Sequence, residues 1–186
     1  MRVVLLLAVA VVAVIVLPLY GQSPIRASPP DSTLGSGGPS SLETGRILYQ
    51  QGQYDAALAL LQQAVREEGR YAPARYWLGM TWYALGNRGE ALKAFRRVVQ
   101  LDKSWASGHV GLGMIYMDMP NRRLDARRAL RNAIKADPDN ADIQYYMGMT
   151  YMDQERTGHL IGSDRDGRQY FLKTVELNPF HPDAFF

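Results

Sequence analysis

The side chains with which this 186-residue chain could do covalent or metal chemistry are few and scattered. His109, His159 and His181 stand far apart, with no second histidine or carboxylate at ligand spacing. Each reads as a solvated surface histidine. Asp164-Arg165-Asp166-Gly167 resembles a fragment of a calcium loop, but Gly162 stands where the first acidic ligand belongs and Lys173 replaces the closing glutamate. An N-terminal helix cap explains Ser163 and Asp164 better. The chain contains no cysteine, which removes disulfides, thiolate metal sites and a cysteine nucleophile. No glycine-rich phosphate loop and no nucleophile elbow occurs. The expectation is therefore a protein that is not an enzyme and needs no cofactor or metal.

Non-covalent chemistry is better represented. Leu42, Arg46 and Tyr49 fall at i, i+4 and i+7, as do Tyr76, Met80 and Tyr83, then Val110, Met114 and Met117, then Tyr145, Met149 and Met152. That spacing places each trio along one face of a helix. Methionine is flexible and polarizable, and tyrosine adds contact area with a polar tip, so such a stripe suits varied apolar partners. Asp118, Asp142 and Asp153 lie near its edge and would favour a ligand with some basic residues. The alternative is that some of these side chains pack against a neighbouring helix pair.

The elements that must position this stripe are written in a repeat. Leu78-Gly79-Met80-Thr81-Trp82-Tyr83, Leu112-Gly113-Met114-Ile115-Tyr116-Met117 and Met147-Gly148-Met149-Thr150-Tyr151-Met152 are versions of one phrase, and Gly45, Gly79, Gly113 and Gly148 keep a period of 34 to 35 residues. A second series keeps step: Ala57, Leu61, Ala64; Ala91, Phe95, Val98; Ala126, Leu130, Ala133; and, less faithfully, Gly167, Phe171, Thr174. Pro138 and Pro179 close the last two units. Each unit reads as two amphipathic helices joined by a short turn such as Gln51-Gly52-Gln53 or Gly86-Asn87. Glycine and alanine sit where two backbones approach, and Leu78, Trp82, Leu112 and Tyr116 are assigned to inter-helix packing. One hairpin cannot cover its own apolar face, so neighbours must stack.

These residues resemble the tetratricopeptide-repeat family, whose pattern runs from a large residue through Leu-Gly, an aromatic, Ala and a second aromatic to Pro. The resemblance spans roughly residues 39–179. Departures are Thr44 in place of Leu, no closing Pro in the first unit, Lys103 at that place in the second, and Ser41, Arg75, His109 and Gln144 where the family often has Trp. The resemblance implies an all-α fold, a right-handed solenoid of four antiparallel helix-turn-helix repeats. It also implies that the Met and Tyr stripe lines a concave groove where a protein or peptide ligand lies. A carboxylate clamp like that of some family members is not expected, because Met80 and Met114 occupy places that would want Asn.

The expected organisation is a signal peptide or membrane anchor over 1–21, a flexible Pro/Ser/Gly linker over 22–38, and repeats over about 39–71, 72–105, 106–140 and 141–181. Residues 182–186 would open a fifth. Val3 to Leu17 is an unbroken aliphatic and alanine run that would rise about 23 Å as a helix, short of the roughly 30 Å hydrocarbon core. Arg2 would keep the N-terminus cytoplasmic and place the repeats outside, in the periplasm or at the cell surface if the source is bacterial. The linker's composition cannot bury enough surface to offset its ordering entropy. About seven extra residues within Gln154 to Ser163 are expected to form a mobile loop, and the lack of a polar capping helix suggests a longer parent or an end that docks something.

The formal charge of +3 is too mild to imply nucleic acid. Arg122, Arg123, Arg127, Arg128 and Arg131 are concentrated, either as the solvated face of one helix or as a contact for anionic headgroups or an acidic partner. The functional expectation is an interaction scaffold of the cell envelope that binds an apolar or amphipathic peptide segment. The alternative is the regulatory repeat arm of a larger enzyme or secretion or assembly factor.

Overall fold

In the computed structural model, which describes residues 40–152 and 164–182, the chain forms eight α-helices and no strand among the described residues. They pair in chain order. Hairpins are made by α1 (Ser41–Gln50) with α2 (Tyr54–Glu67), α3 (Ala72–Ala84) with α4 (Arg88–Leu101), α5 (Ala106–Met117) with α6 (Arg123–Ala136), and α7 (Ala141–Met149) with α8 (Asp164–Leu177).

Local sequence sets the helix ends. The Ser40 hydroxyl accepts from the Glu43 amide at 3.2 Å, and the Asn87 side chain accepts from the Glu90 amide at 3.2 Å. Asn140 does the same for Asp142 and Ile143. Each satisfies amide groups that a helix start leaves without partners. The first two hairpin turns place Gly52 and Gly86 at φ 76°, a left-handed conformation that glycine adopts without steric cost. In the third turn Asn121 takes that role at φ 60°, one of the few side chains that tolerates it.

The repeat glycines sit at the helix crossings. A Cβ on Gly45 would lie 2.7 Å from Leu61 Cγ, one on Gly113 2.7 Å from Leu130 Cγ, and one on Gly148 2.8 Å from the Phe171 ring. The residue facing each glycine belongs to the second sequence series, whose Ala57, Leu61, Ala91, Phe95, Val98, Ala126, Leu130 and Ala133 are all buried. Successive hairpins then stack. The odd-numbered helices touch one another, α1 on α3, α3 on α5 and α5 on α7, while no two even-numbered helices make comparable contact. The row therefore curves toward the odd helices, which line its inner face, and the even helices form the outer face.

The apolar residues 1–21, the linker 22–38, the insertion within 154–163, Asp153, His159 and residues 183–186 lie outside the described residues. Among the described residues, no helix is long and apolar enough to cross a membrane.

Candidate functional site

The inner face is built from three rows of side chains that cross the odd helices. The row three residues before each glycine is largely interior. Tyr76 is 1 % exposed and Val110 fully buried, which corrects their assignment to an open stripe. Tyr76 packs its ring against Trp105 at 5.1 Å, Trp77 at 5.4 Å and Phe95 at 5.9 Å. Val110 joins Leu130, Ala133, Ile143 and Met147. The physical reason is the contact between successive inner helices, which closes over side chains pointing at the next unit. Leu42 and Tyr145, in the same row, stay half-buried.

Exposure increases toward the hairpin turns. In the middle row Met80 is nearly enclosed, whereas Arg46, Met114 and Met149 are half-buried, and Arg46 is paired with Glu43. In the last row Tyr49, Tyr83 and Met117 are half-buried on their helices; Met152 is half-buried too, but α7 ends at Met149, which corrects its expected place on the helical face with Tyr145 and Met149. The side chains assigned to inter-helix packing are less enclosed than the first row: Leu78, Trp82 and Tyr116 are half-buried and only Leu112 is buried. Burial pushes the Tyr49 phenol up to about 12, with a smaller contribution from Tyr54. It does the same for Tyr83, where the Asp118 carboxylate adds to it.

The acidic edge is not free. Asp118 accepts from Arg88 Nε at 3.2 Å, and Asp142 Oδ1 lies 3.1 Å from His181 Nε2. His181 is 2 % exposed and packs its ring, tilted by 33°, against Tyr145, with ring centroids 4.9 Å apart. His109 is likewise buried and donates from Nε2 to the Lys103 carbonyl at 3.0 Å. The reading of these two histidines as solvated side chains is thus corrected; His159 is not among the described residues.

Sequence reasoning missed a recurring device at the place where the family often has Trp. Arg75 donates to the Gly69 carbonyl through Nε at 3.1 Å and Nη2 at 2.7 Å. His109 does so to Lys103, and the Gln144 amide to the Pro138 carbonyl at 3.0 Å. Each donor reaches six residues back and ties an inner helix to the connection before it. The available signal was that three of the four equivalent positions, all but Ser41, hold side chains with N–H donors. Thr81 and Thr150, also overlooked, are buried two residues after the glycine and return their hydroxyls to Trp77 and Met147 carbonyls at 2.8 and 2.7 Å.

Among the described residues no three His, Asp or Glu side chains gather as metal ligands. The arrangement offers apolar contact and hydrogen bonding along a curved face. Helical hairpins stacked through their inner helices, with a glycine at each crossing, define a helical-repeat solenoid. The sequence model of the tetratricopeptide repeat matches residues 42–106 and 120–158, more than half of the chain, and the chain belongs to that family.

Relatives agree on the fold. Tetratricopeptide repeat protein 1 of Schizosaccharomyces pombe is 31% identical over 96 residues, covering 51% of this chain and 9% of the relative. Superkiller complex protein 3 of Mus musculus is 27% identical over 103 residues, covering 53% and 7%. The chain thus spans less than a tenth of either. A thermophilic TPR protein of Thermus thermophilus superposes with a TM-score of 0.63 at 24% identity, covering 75% of this chain and 73% of that one. YrrB, described as a TPR protein with an unusual peptide-binding site, gives a TM-score of 0.61 at 21% identity, covering 77% and 70%. Proteins of this fold are in general non-catalytic scaffolds that bind protein or peptide partners.

Proposed function

We propose that the inner face binds a peptide segment with apolar side chains, extended or helical, and that the protein serves as an interaction scaffold of the cell envelope. The observation that carries this reading is the row of Tyr49, Tyr83, Met117 and Met152, backed by Met114 and Met149. Tyr49, Tyr83 and Met117 stand on α1, α3 and α5, Met152 lies three residues past the end of α7, and all four stay half-exposed beside the core. Burying a few hundred Å2 of such surface at about 25 cal/mol per Å2 gives several kcal/mol before ordering costs are subtracted. With Asp118 and Asp142 already partnered by Arg88 and His181, apolar contact dominates and basic ligand residues are secondary. The envelope location draws on the apolar run Val3 to Leu17 and the spacer after it.

The test uses fluorescently labelled amphipathic peptides and polar scrambles of the same composition. Amphipathic peptides should bind, and Met114→Glu should weaken binding at least about tenfold by placing a charge where apolar contact is required. Circular dichroism and melting should stay near those of the unmodified protein. Equal binding by the variant, or no preference for amphipathic sequences, would overturn the reading.

A second reading makes these repeats one arm of a longer enzyme or assembly factor. It is favoured by the small share of each curated relative that the chain spans. The reading frame around the coding sequence tests it directly.

A further inference from the structure

The outer face carries a charge pattern that peptide binding on the inner face does not use. Helix α4 bears Lys93, Arg96 and Arg97 against the single carboxylate of Glu90, besides Arg88, which pairs with Asp118. Helix α6 bears Arg123, Arg127, Arg128, Arg131 and Lys135 against Asp125 alone. These two helices together exceed the formal +3 of the whole chain, so the remainder is net acidic and the molecule is polarised. The neighbouring outer helix α2 is not basic, with Asp55 and Glu67 against Arg66.

Geometry gathers this charge. On α6, residues 124, 128, 131 and 135 follow i, i+4, i+7 and i+11, the side opposite buried Ala126, Leu130 and Ala133. Leu124, Arg128, Arg131 and Lys135 are all exposed, with no carboxylate among them. On α4, Lys93, Arg96, Arg97 and Gln100 are exposed in the same way. Tyr116 of α5 gathers charge from both sides: its hydroxyl accepts from Arg96 Nη2 of α4 at 3.3 Å, and the guanidinium of Arg122, just before α6, lies 5.1 Å over its ring. Glu90 is taken by Lys93 at 2.7 Å, and Asp125 is shared between Arg122 at 2.6 Å and, more loosely, Arg128 at 3.9 Å. Arg97 reaches only the neutral Gln100, and among the described residues Arg131 and Lys135 form no ion pair. Solubility is served by mixed signs, so a one-signed face on two consecutive outer helices asks for an anionic partner.

We propose that the outer face of α4 and α6 docks on an anionic phospholipid surface. Arginine outnumbers lysine in it, and the guanidinium fork matches phosphate oxygens as a point-charge ammonium does not. Leu124, 74 % exposed at the head of the α6 stripe, supplies an apolar side chain of the kind that interfacial helices seat between headgroups. A nucleic-acid backbone has no use for that leucine, and the exposed stripes offer no aromatic ring on which a base could stack. The surface is opposite the inner face, so both contacts can be made at once.

The full chain tests this by flotation with phosphatidylcholine vesicles, with and without phosphatidylglycerol. Each basic side chain near an anionic surface contributes enough that removing three lowers partition about a hundredfold. The combined variant R128Q, R131Q and K135Q should lose the phosphatidylglycerol-dependent flotation while its binding to neutral vesicles, whatever the N-terminal run contributes, stays unchanged. Raising salt on the unmodified chain gives the same readout without substitution, because screening releases charge-dependent binding. The proposal fails if phosphatidylglycerol adds nothing, if salt or the triple variant leaves flotation intact, or if duplex DNA binds more tightly than the anionic vesicles at equal salt.

Discussion

Gly111 offers a demanding test of the packing. It lies on α5, two residues before the repeat glycine, and a Cβ there would fall 2.5 Å from Phe95 Cε1 and 2.7 Å from Phe95 Cγ. Ordinary carbon contacts are about 3.5–4.0 Å, so the ring or the helix must move by roughly 1 Å. The ring cannot swing clear, because the close atoms include its root carbon, Phe95 is 1 % exposed, and Tyr76 stands 5.9 Å away. Overpacking of this kind costs about 1–3 kcal/mol, and alanine returns up to about 1 kcal/mol through helix propensity. With the root carbon of the ring in the clash the upper half of that cost applies, so Gly111→Ala should destabilise by a net of about 1–2 kcal/mol, a fall of several degrees in melting temperature for a domain of this size. Gly89→Ala is the control: its Cβ would meet only the Asn87 side-chain oxygen at 3.8 Å, and it should be neutral or slightly stabilising. Thermal melts followed at 222 nm measure both. Adding Phe95→Leu to Gly111→Ala should cost less than the sum of the single changes. A neutral or stabilising Gly111→Ala would refute the close approach of α5 to α4.

Two further outcomes follow from particular side chains. Arg127 lies 3.8 Å over the Tyr151 ring and donates to Thr150 O at 2.9 Å and to Thr150 Oγ1 at 3.2 Å, so Arg127→Lys, which keeps the charge but loses the fork, should cost about 1–2 kcal/mol in urea denaturation; an unchanged midpoint would refute the contact. Tyr49 and Tyr83 are both pushed up to about 12 from an ordinary value of 10.0. The unfolded phenols therefore release their protons first, and the stability these neutral side chains supply is complete below pH 10 and lost as pH rises toward 12. Denaturation midpoints across that window should fall, less steeply in Tyr49→Phe; an identical slope in the variant would contradict the assignment.

Much of the architecture was legible because sterics left the sequence few choices. Only glycine fits against Leu61, Leu130 and Phe171 at the crossings, so a 34-residue glycine period announced stacked hairpins. The orientation of each inner helix was less legible. Tyr76 and Met80 share a helical face with Tyr83, yet only Tyr83 stays half-exposed, since the rotation of one hairpin on the next decides what the neighbour covers. That rotation is a property of the assembled row and leaves no mark in one unit's periodicity. Composition misled in the same way at His109 and His181. A histidine pattern carries no sign of a backbone carbonyl waiting six residues earlier, or of an aspartate 39 positions away, until the turns are folded.

Site-specific photo-crosslinking to an amphipathic peptide bears most directly on the account. A benzophenone side chain would be placed at Tyr83 or Met117 on the inner face and, as a control, at exposed Gln63 on the outer face of α2. The account predicts crosslinks from Tyr83 and Met117 and none above background from Gln63. Crosslinking that is equal on the two faces, or confined to Gln63, would contradict it.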